Sequence, residues 1–376
     1  MPGSSPLPSS AEPMARALAL ARRGRFTAAP NPKVGAVVVG TGGAVVGEGW
    51  HRRAGEPHAE ALALARAGAA ARGATLYVTL EPCAHFGRTP PCADAVVAAG
   101  VARVIASHRD PDPRTAGAGF ARLRAAGIAV EIGAGAEEAL ELNLPYLVWR
   151  ISGRPSVTLK WAASLDGRIA TAAGESRWIT GEPARRAGLE LREEHDAILV
   201  GSGTALADDP RLTRRLGRAG RPNLRVVLDR RLRLPASARL FDEPGPVLVY
   251  TAAADRERVD ALAARGAEVV ALPRVEPAAV LAELARRGVQ SVLVEGGGTV
   301  AAAFVEAGLW DRVAAFVAPR LVGGAAAPAP LAGAGIGRLV EAELLERVRV
   351  RRRGPDIEIT GMRAGCLREL SSNVGV

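Results

Sequence analysis

ATLYVTLEPCAHFGRTPPCADAVVAAGVARVIAS, residues 74–107, is the stretch from which the fold can be read. ATLYVTL (74–80) is apolar and β-branched, as a strand requires. Cys92 to Ala99 opens a helix, and ARVIAS (102–107) is the next strand. Strand, helix and strand in turn predict an α/β layer fold. Working outward, the pattern continues on both sides. VGAVVVG (34–40) and AVVGEGWH (44–51) read as strands joined by the turn Thr41-Gly42-Gly43. Met14 to Arg23, His58 to Ala71, Gly119 to Ala126 and 136–149 read as helices, and IAVEIG (128–133) as a strand.

The same stretch carries chemistry. It holds Pro82-Cys83 and Pro91-Cys92, and His58-Ala59-Glu60 stands upstream. H-x-E, then P-C, then a second cysteine is the zinc-deaminase pattern. One imidazole (His58) and two thiolates (Cys83, Cys92) hold Zn²⁺ and leave its fourth position for water, whose pKa the metal lowers to about 7. Glu60 is then the proton carrier, because the reaction needs a carboxylate that is not a ligand. A purely structural zinc would instead need a fourth protein ligand, and His85 could supply it.

The chain has 376 residues, more than one core usually carries, so two domains are expected. ISGRP (151–155) reads as the linker. Hydrophobic residues at 48% and charged residues at 23% exclude disorder for the body of the chain. No apolar run approaches the roughly 18 residues of a membrane span. Residues 1–12 read as a loose tail, not a signal peptide. Three cysteines make no disulfide framework and point to the cytoplasm. The net charge of +10 is spread over both halves, and aromatic residues are only 4%. Small anionic ligands therefore fit better than nucleic acid. One dense run stands out, nine arginines between Arg211 and Arg233. Lysine occurs only at Lys33, read as a solvated surface residue, and at Lys160.

A second α/β pattern follows the linker, with strands at 156–162, 196–202, 224–229, 246–250, 267–272, 291–296 and 312–319. Helices fill 183–194, 255–265, 277–287 and 299–307, and 348–361 reads as a closing antiparallel hairpin that makes this sheet mixed. VEGGGTVAAAF (294–304) places glycines between a strand and a helix, where backbone N–H groups can meet a phosphate. Lys160 ends an apolar strand, so it either snorkels to the surface or faces a partner, Asp208 or Glu295. Some arginines of the run can meet a phosphate, with most of the run a solvated loop.

EPCAHFGRTPPC (81–92), NPKVGAVVV (31–39), HAE (58–60) and DPDP (110–113) closely resemble the deaminase domain of the bifunctional riboflavin-biosynthesis deaminase/reductase family. TLKWAASLDGRIAT (158–171), SRWITG (176–181) and ADDPRLTRR (207–215) resemble its reductase domain. The resemblance implies a cytidine-deaminase-like three-layer domain over 13–150 and a dihydrofolate-reductase-like domain with a mixed sheet over 151–363, with 364–376 a tail holding an incidental Cys366. It implies a phosphorylated diaminopyrimidinone as substrate, deaminated first, its ribosyl group then reduced by NADPH. Asn31, His51, His85, Arg88 and Asp110 would contact it in the first domain, and Ser176, Arg192, Leu212, Arg215 and Glu295 in the second. NADPH contacts would fall at Ala162, Trp178, Thr204, Asp208, Gly297, Gly298, Thr299, Val300, Ala301, Ala302 and Ala303. The imine-like intermediate of the reduction needs a cationic stabiliser, for which Lys160 is the candidate. Asp112, Ala118 and Arg230 depart from the family's usual Asn, basic residue and Ser/Thr. A homo-oligomer, dimer or tetramer, is expected.

Two other readings compete. One is a tRNA or nucleoside deaminase with a nucleic-acid-binding C-terminal half. The other is a zinc-stabilised, non-enzymatic module that binds a phosphate ligand.

Overall fold

The computed structural model describes residues 11–87 and 89–376, in two compact units. The first comprises residues up to Ser152 together with Leu367–Val376, and the second Gly153–Cys366.

Five strands form the first sheet: β1 (Gly35–Val39), β2 (Val45–Trp50), β3 (Thr75–Val78), β4 (Arg103–Ala106) and β5 (Ala129–Ile132). Their order is β2-β1-β3-β4-β5, with β1 antiparallel to β2 and β3 and the rest parallel. All of β1 is buried because both faces are covered. Val37 and Val39 pack with Met14, Ala17 and Leu18 of the helix Ala11–Ala21. Ala36 and Val38 pack on the other face with Ala63, Val96, Phe120 and Leu123. The unit is therefore three layers, helices over both sides of a sheet.

Close packing on β2 sets the site. A Cβ on Gly47 would lie 2.2 Å from the Ala63 carbonyl, and one on Gly49 2.4 Å from that of Ala59. Two side-chain-free positions on one strand face let the helix Ala59–Ala67 rest directly on the sheet, with His58 at its N-terminus.

The second sheet contains β6 (Ser156–Ser164), β7 (Ala197–Gly201), β8 (Leu224–Leu228), β9 (Val247–Thr251), β10 (Ala267–Ala271), β11 (Ser291–Glu295), β12 (Arg312–Ala318), β13 (Leu345–Arg353) and β14 (Asp356–Arg363). The order is β10-β9-β8-β7-β11-β6-β12-β14-β13. β14 runs antiparallel to β12 and β13, and every other pair is parallel, so the sheet is mixed as expected. Alternation again decides the faces: Leu199 and Val226 enter one core, Ile198 and Val227 the other.

Two local expectations need correction. Residues 364–376 are not a tail: Cys366–Val374 is a helix in which Cys366, Leu367, Leu370 and Val374 are buried. The helix clusters with the first unit, where Arg109 bonds to the carbonyls of Asn373 and Val374. Its apolar spacing at 366, 367, 370 and 374 is the i, i+3/i+4 stripe of a packed helix. After β7 the chain passes directly into a short helix, Ser202–Asp208. Lys33 is not free in solvent, since its Nζ donates to the Leu142 carbonyl at 2.7 Å and so caps the helix Ala136–Leu142. Of the expected N-terminal tail, residues 1–10 lie outside the described residues, and 11–12 begin the first helix.

Candidate active sites

His58, Cys83 and Cys92 converge, their ligand atoms all within 4.8 Å of one another. His58 Nδ1 faces both sulfurs, 3.1 Å from Cys92 Sγ and 3.6 Å from Cys83 Sγ. Its Nε2 lies 3.3 Å from Thr89 Oγ1, a partner that fixes the ring and leaves Nδ1 for a metal. Each ligand sits at an element end: His58 as N-cap of its helix, Cys83 beyond β3, Cys92 as the first residue of the helix Cys92–Ala98. The hydrogen bond from Cys92, helped by burial-opposing contacts with His58 and the Cys92 N–H, holds the Cys83 thiol well below the usual thiol range. One nitrogen and two sulfurs, one of them readily ionised, fit a zinc ion with an open position. His85 is not a fourth ligand among the described residues; its Nδ1 lies 3.1 Å from Thr115 Oγ1.

Glu60 is buried beside this cluster, next to Cys92 and His58. Burial raises its carboxyl pKa, which suits a group that both takes and gives a proton. Asn31 Nδ2 and His51 Nε2 are 3.0 Å apart, and the His51 ring meets His58 edge-on at 5.2 Å. Burial lowers the His51 pKa, which favours the neutral ring. Asp110 accepts from the Tyr146 hydroxyl at 2.7 Å, and burial pushes its carboxyl up to about 6. Asp112 is committed to Arg114 and Arg150; burial opposes its charge, but these arginines hold it down to about 2. Ala118 begins the helix Ala118–Ala125 and offers no charge. Arg88 lies outside the described residues.

Sequence reasoning missed Glu81, which shapes this site from below. Its buried carboxylate accepts the backbone N–H groups of Asp110, Gly117 and Phe120, at 3.1, 3.0 and 3.2 Å. It thereby fastens the DPDP loop to the segment that carries Cys83. It also missed Asn143, whose amide bonds both backbone groups of Lys33, two residues from Asn31. Both lie far in sequence from what they hold, and nothing local marks them.

In the second unit Lys160 and Glu295 are direct partners across β6 and β11. Lys160 Nζ lies 3.6 Å from Glu295 Oε2, which decides between the two partners expected for it. Asp208 instead accepts from Ser176 Oγ at 2.8 Å and, through its carbonyl, from Arg177. Arg192 grips Glu295 bidentately at 2.7 and 2.9 Å. Burial alone would raise the Glu295 pKa, but Arg192 and Lys160 hold it down to about 2. Arg215 is exposed, with no carboxylate at ion-pair distance among the described residues, and Arg192, Arg211 and Arg239 surround it. Leu212 is buried in the left-handed region, its carbonyl accepting from Asn223.

A cleft of about 450 Å³ opens at the carboxyl ends of β7, β8 and β11. Ligands of open α/β sheets enter at such strand ends. Of the residues expected at NADPH, Thr204, Gly297, Thr299, Val300 and Ala303 line it. Gly298, Ala301 and Ala302 are on the same helix but buried, and Ala162, Trp178 and Asp208 lie outside the lining. Gly296 and Gly297 have φ of +113° and +71°, and a Cβ on Gly296 would meet Thr204 Cγ2 at 2.7 Å. Only glycine allows that turn against Thr204.

Fold and site together define a zinc-type deaminase domain joined to an α/β reductase domain. Residues 9–108 match the family model for the cytidine and deoxycytidylate deaminase zinc-binding region, and 155–359 that for the RibD C-terminal domain. The chain belongs to the RibD family, the bifunctional deaminases and reductases of riboflavin biosynthesis. It is 44% identical to the riboflavin biosynthesis protein RibD of Bacillus amyloliquefaciens, over 93% of this chain and 95% of that one. For the Escherichia coli K12 protein the identity is 43%, over 92% and 96%. Among solved structures, Acinetobacter baumannii RibD superposes with a TM-score of 0.84 at 39% identity, over 94% and 98% of the two chains. A Thermotoga maritima diaminohydroxyphosphoribosylaminopyrimidine deaminase/5-amino-6-(5-phosphoribosylamino)uracil reductase does so at 0.81 and 36%, over 94% and 98%. The first domain is zinc-binding and the reductase domain suits NADPH. These likenesses favour neither the nucleic-acid deaminase nor the non-enzymatic module. No helix among the described residues is long and apolar enough to cross a membrane.

Proposed function

We propose that the chain deaminates 2,5-diamino-6-(5-phosphoribosylamino)pyrimidin-4-one and then reduces the ribosyl group of the product to ribityl with NADPH. The observation that carries this reading is the convergence of His58, Cys83 and Cys92 beside buried Glu60. Zinc held by the three ligands would activate water toward the amine-bearing ring carbon. Glu60 moves the proton of that water to the adjacent ring nitrogen and then to the departing ammonia. Asn31, His51, His85, Arg88 and Asp110 orient the ring and its phosphate.

In the reductase domain NADPH supplies the hydride. Lys160, held by Glu295 and lying 5.8 Å from the Phe316 ring centroid, stabilises the imine-like form at C1′. Ser176 and Leu212 line the sugar, and Ala162, Trp178, Thr204 and Asp208 flank the cofactor. The enzyme works in the cytoplasm, for which its three free cysteines speak. It works as a homo-oligomer, for which the exposed Leu344, Val348 and Val350 on and beside edge strand β13 speak. Purified protein given this substrate and NADPH is expected to release ammonia and then oxidise NADPH. Ammonia release without NADPH oxidation, or neither, overturns the reading.

Arg215 and Arg192 divide the work at the substrate phosphate. Arg192 is committed to Glu295, so Arg215 carries the free charge. Charge-assisted bonds contribute roughly 1.5–3 kcal/mol, so Arg215→Ala should raise the substrate KM about 10- to 100-fold. Arg215→Lys should recover only part, lacking the bidentate fork. Steady-state kinetics decide: an unchanged substrate KM with a raised NADPH KM would reverse the two phosphate sites.

A further inference from the structure

Asp-Arg-Arg-Leu-Arg-Leu, residues 229–234, leaves the sheet at the carboxyl end of β8. The turn is pinned from below. Leu232 and Leu234 are buried in the core, and the Asp229 carboxylate accepts the Leu234 N–H at 2.7 Å. The Asp229 carbonyl accepts the Leu232 N–H at 3.0 Å, and that of Arg230 the Ala252 N–H at 3.2 Å. Arg230, Arg231 and Arg233 are left exposed, and all three line the cleft. Arg233 donates to Ser202 Oγ at 2.9 Å, at the start of the helix that carries Thr204.

Of the rest of the arginine run, all but Arg215 are bonded elsewhere. Arg211, Arg218 and Arg221 pair with Glu243, Glu190 and Asp196. Arg214 and Arg225 bond to backbone carbonyls. Among the described residues, Arg230, Arg231 and Arg233 have no carboxylate at ion-pair distance, and no acidic side chain lines the cleft. Three unneutralised cations in one cleft attract a polyanion. The strand order sets which phosphate they meet. β7 separates β8 from β11, so the arginines stand about 10 Å from the glycine turn at 296–298, two strand spacings away. That turn, opening the helix Gly298–Glu306, suits the pyrophosphate. The arginines stand on the far side of β7, placed for a second phosphate of the same ligand.

We propose that Arg230, Arg231 and Arg233 bind the 2′-phosphate of NADPH and so set its preference over NADH. This rests on the cleft being the cofactor site.

Calorimetric titration of the full chain with NADP⁺ and NAD⁺ tests it without turnover. NADP⁺ should bind wild type the more tightly. Arg230→Ala and Arg231→Ala should each weaken NADP⁺ roughly 10-fold, the usual worth of one charged hydrogen bond, and leave NAD⁺ nearly unchanged. The triple alanine variant should bind the two alike. Retained NAD⁺ binding, at the wild-type strength, reports that the reductase unit, which has its own core, has folded. If NADP⁺ still binds the triple variant as it binds wild type, the inference fails and the cofactor site stands. If NAD⁺ weakens as much as NADP⁺, the arginines meet a phosphate common to both and the inference fails again. If wild type binds neither, the cofactor reading itself is overturned.

Discussion

Replacing Cys83 by serine is expected to strip zinc from the chain and abolish deamination. The site has three protein ligands and no reserve among the described residues, since His85 is occupied with Thr115. A serine hydroxyl stays protonated where the Cys83 thiol ionises readily, and Cys92 would lose the sulfur that faces it. Bound metal should fall from one zinc per chain toward none, by elemental analysis of the purified protein. Ammonia release should fall below detection. Reduction of supplied deaminated substrate should persist, because the reductase unit has its own core. Stoichiometric zinc with full activity in the variant would refute the assignment of the ligands.

Glu60→Gln should separate the two activities more cleanly. Glutamine keeps the shape of the buried side chain and touches none of the ligand assignments, so zinc should remain. What is lost is the proton carrier, a contribution of roughly 10²–10⁴-fold. Ammonia release should fall by at least that factor, while NADPH oxidation with deaminated substrate continues nearly unchanged. Equal loss of both activities would mean that the two units depend on each other, or that an amide among Cys92, His58 and the core does not fold. A zinc measurement distinguishes these, since a misfolded unit loses its metal and a folded one retains it.

The zinc site was legible because its chemistry demands residue types in a fixed order. His58-Ala59-Glu60, Pro82-Cys83 and Pro91-Cys92 each sit at the end of a helix or strand whose pattern is itself readable. The apolar runs of 34–40 and 196–202 likewise read as strands before their neighbours were known, and both prove buried along their length. The arginine run was legible only as charge. Nothing in RLTRRLGRAGRPNLRVVLDRRLR tells Arg225, buried and spent on carbonyls, from Arg215 or Arg230, exposed and without a carboxylate partner among the described residues. Each fate depends on an acid or carbonyl from another segment: Glu243 for Arg211, Glu190 for Arg218, Asp196 for Arg221.

Lys33 and Cys366 follow the same logic. Lys33 looks like any surface lysine until a helix end, more than a hundred residues away, presents the Leu142 carbonyl to it. Cys366 looks like part of a tail until the helix it begins is packed. Periodicity, turn residues and ligand order act over a few residues of chain, and by themselves they determined two α/β units, a zinc site with a carboxylate beside it, and a glycine turn suited to a phosphate. Which cation stays free for a ligand and which is neutralised, and which carboxylate props a loop as Glu81 does, was decided only by the tertiary structure. Burial makes an unpaired charge or polar group costly, so each must find its partner in space, and those partners lie far apart along the chain.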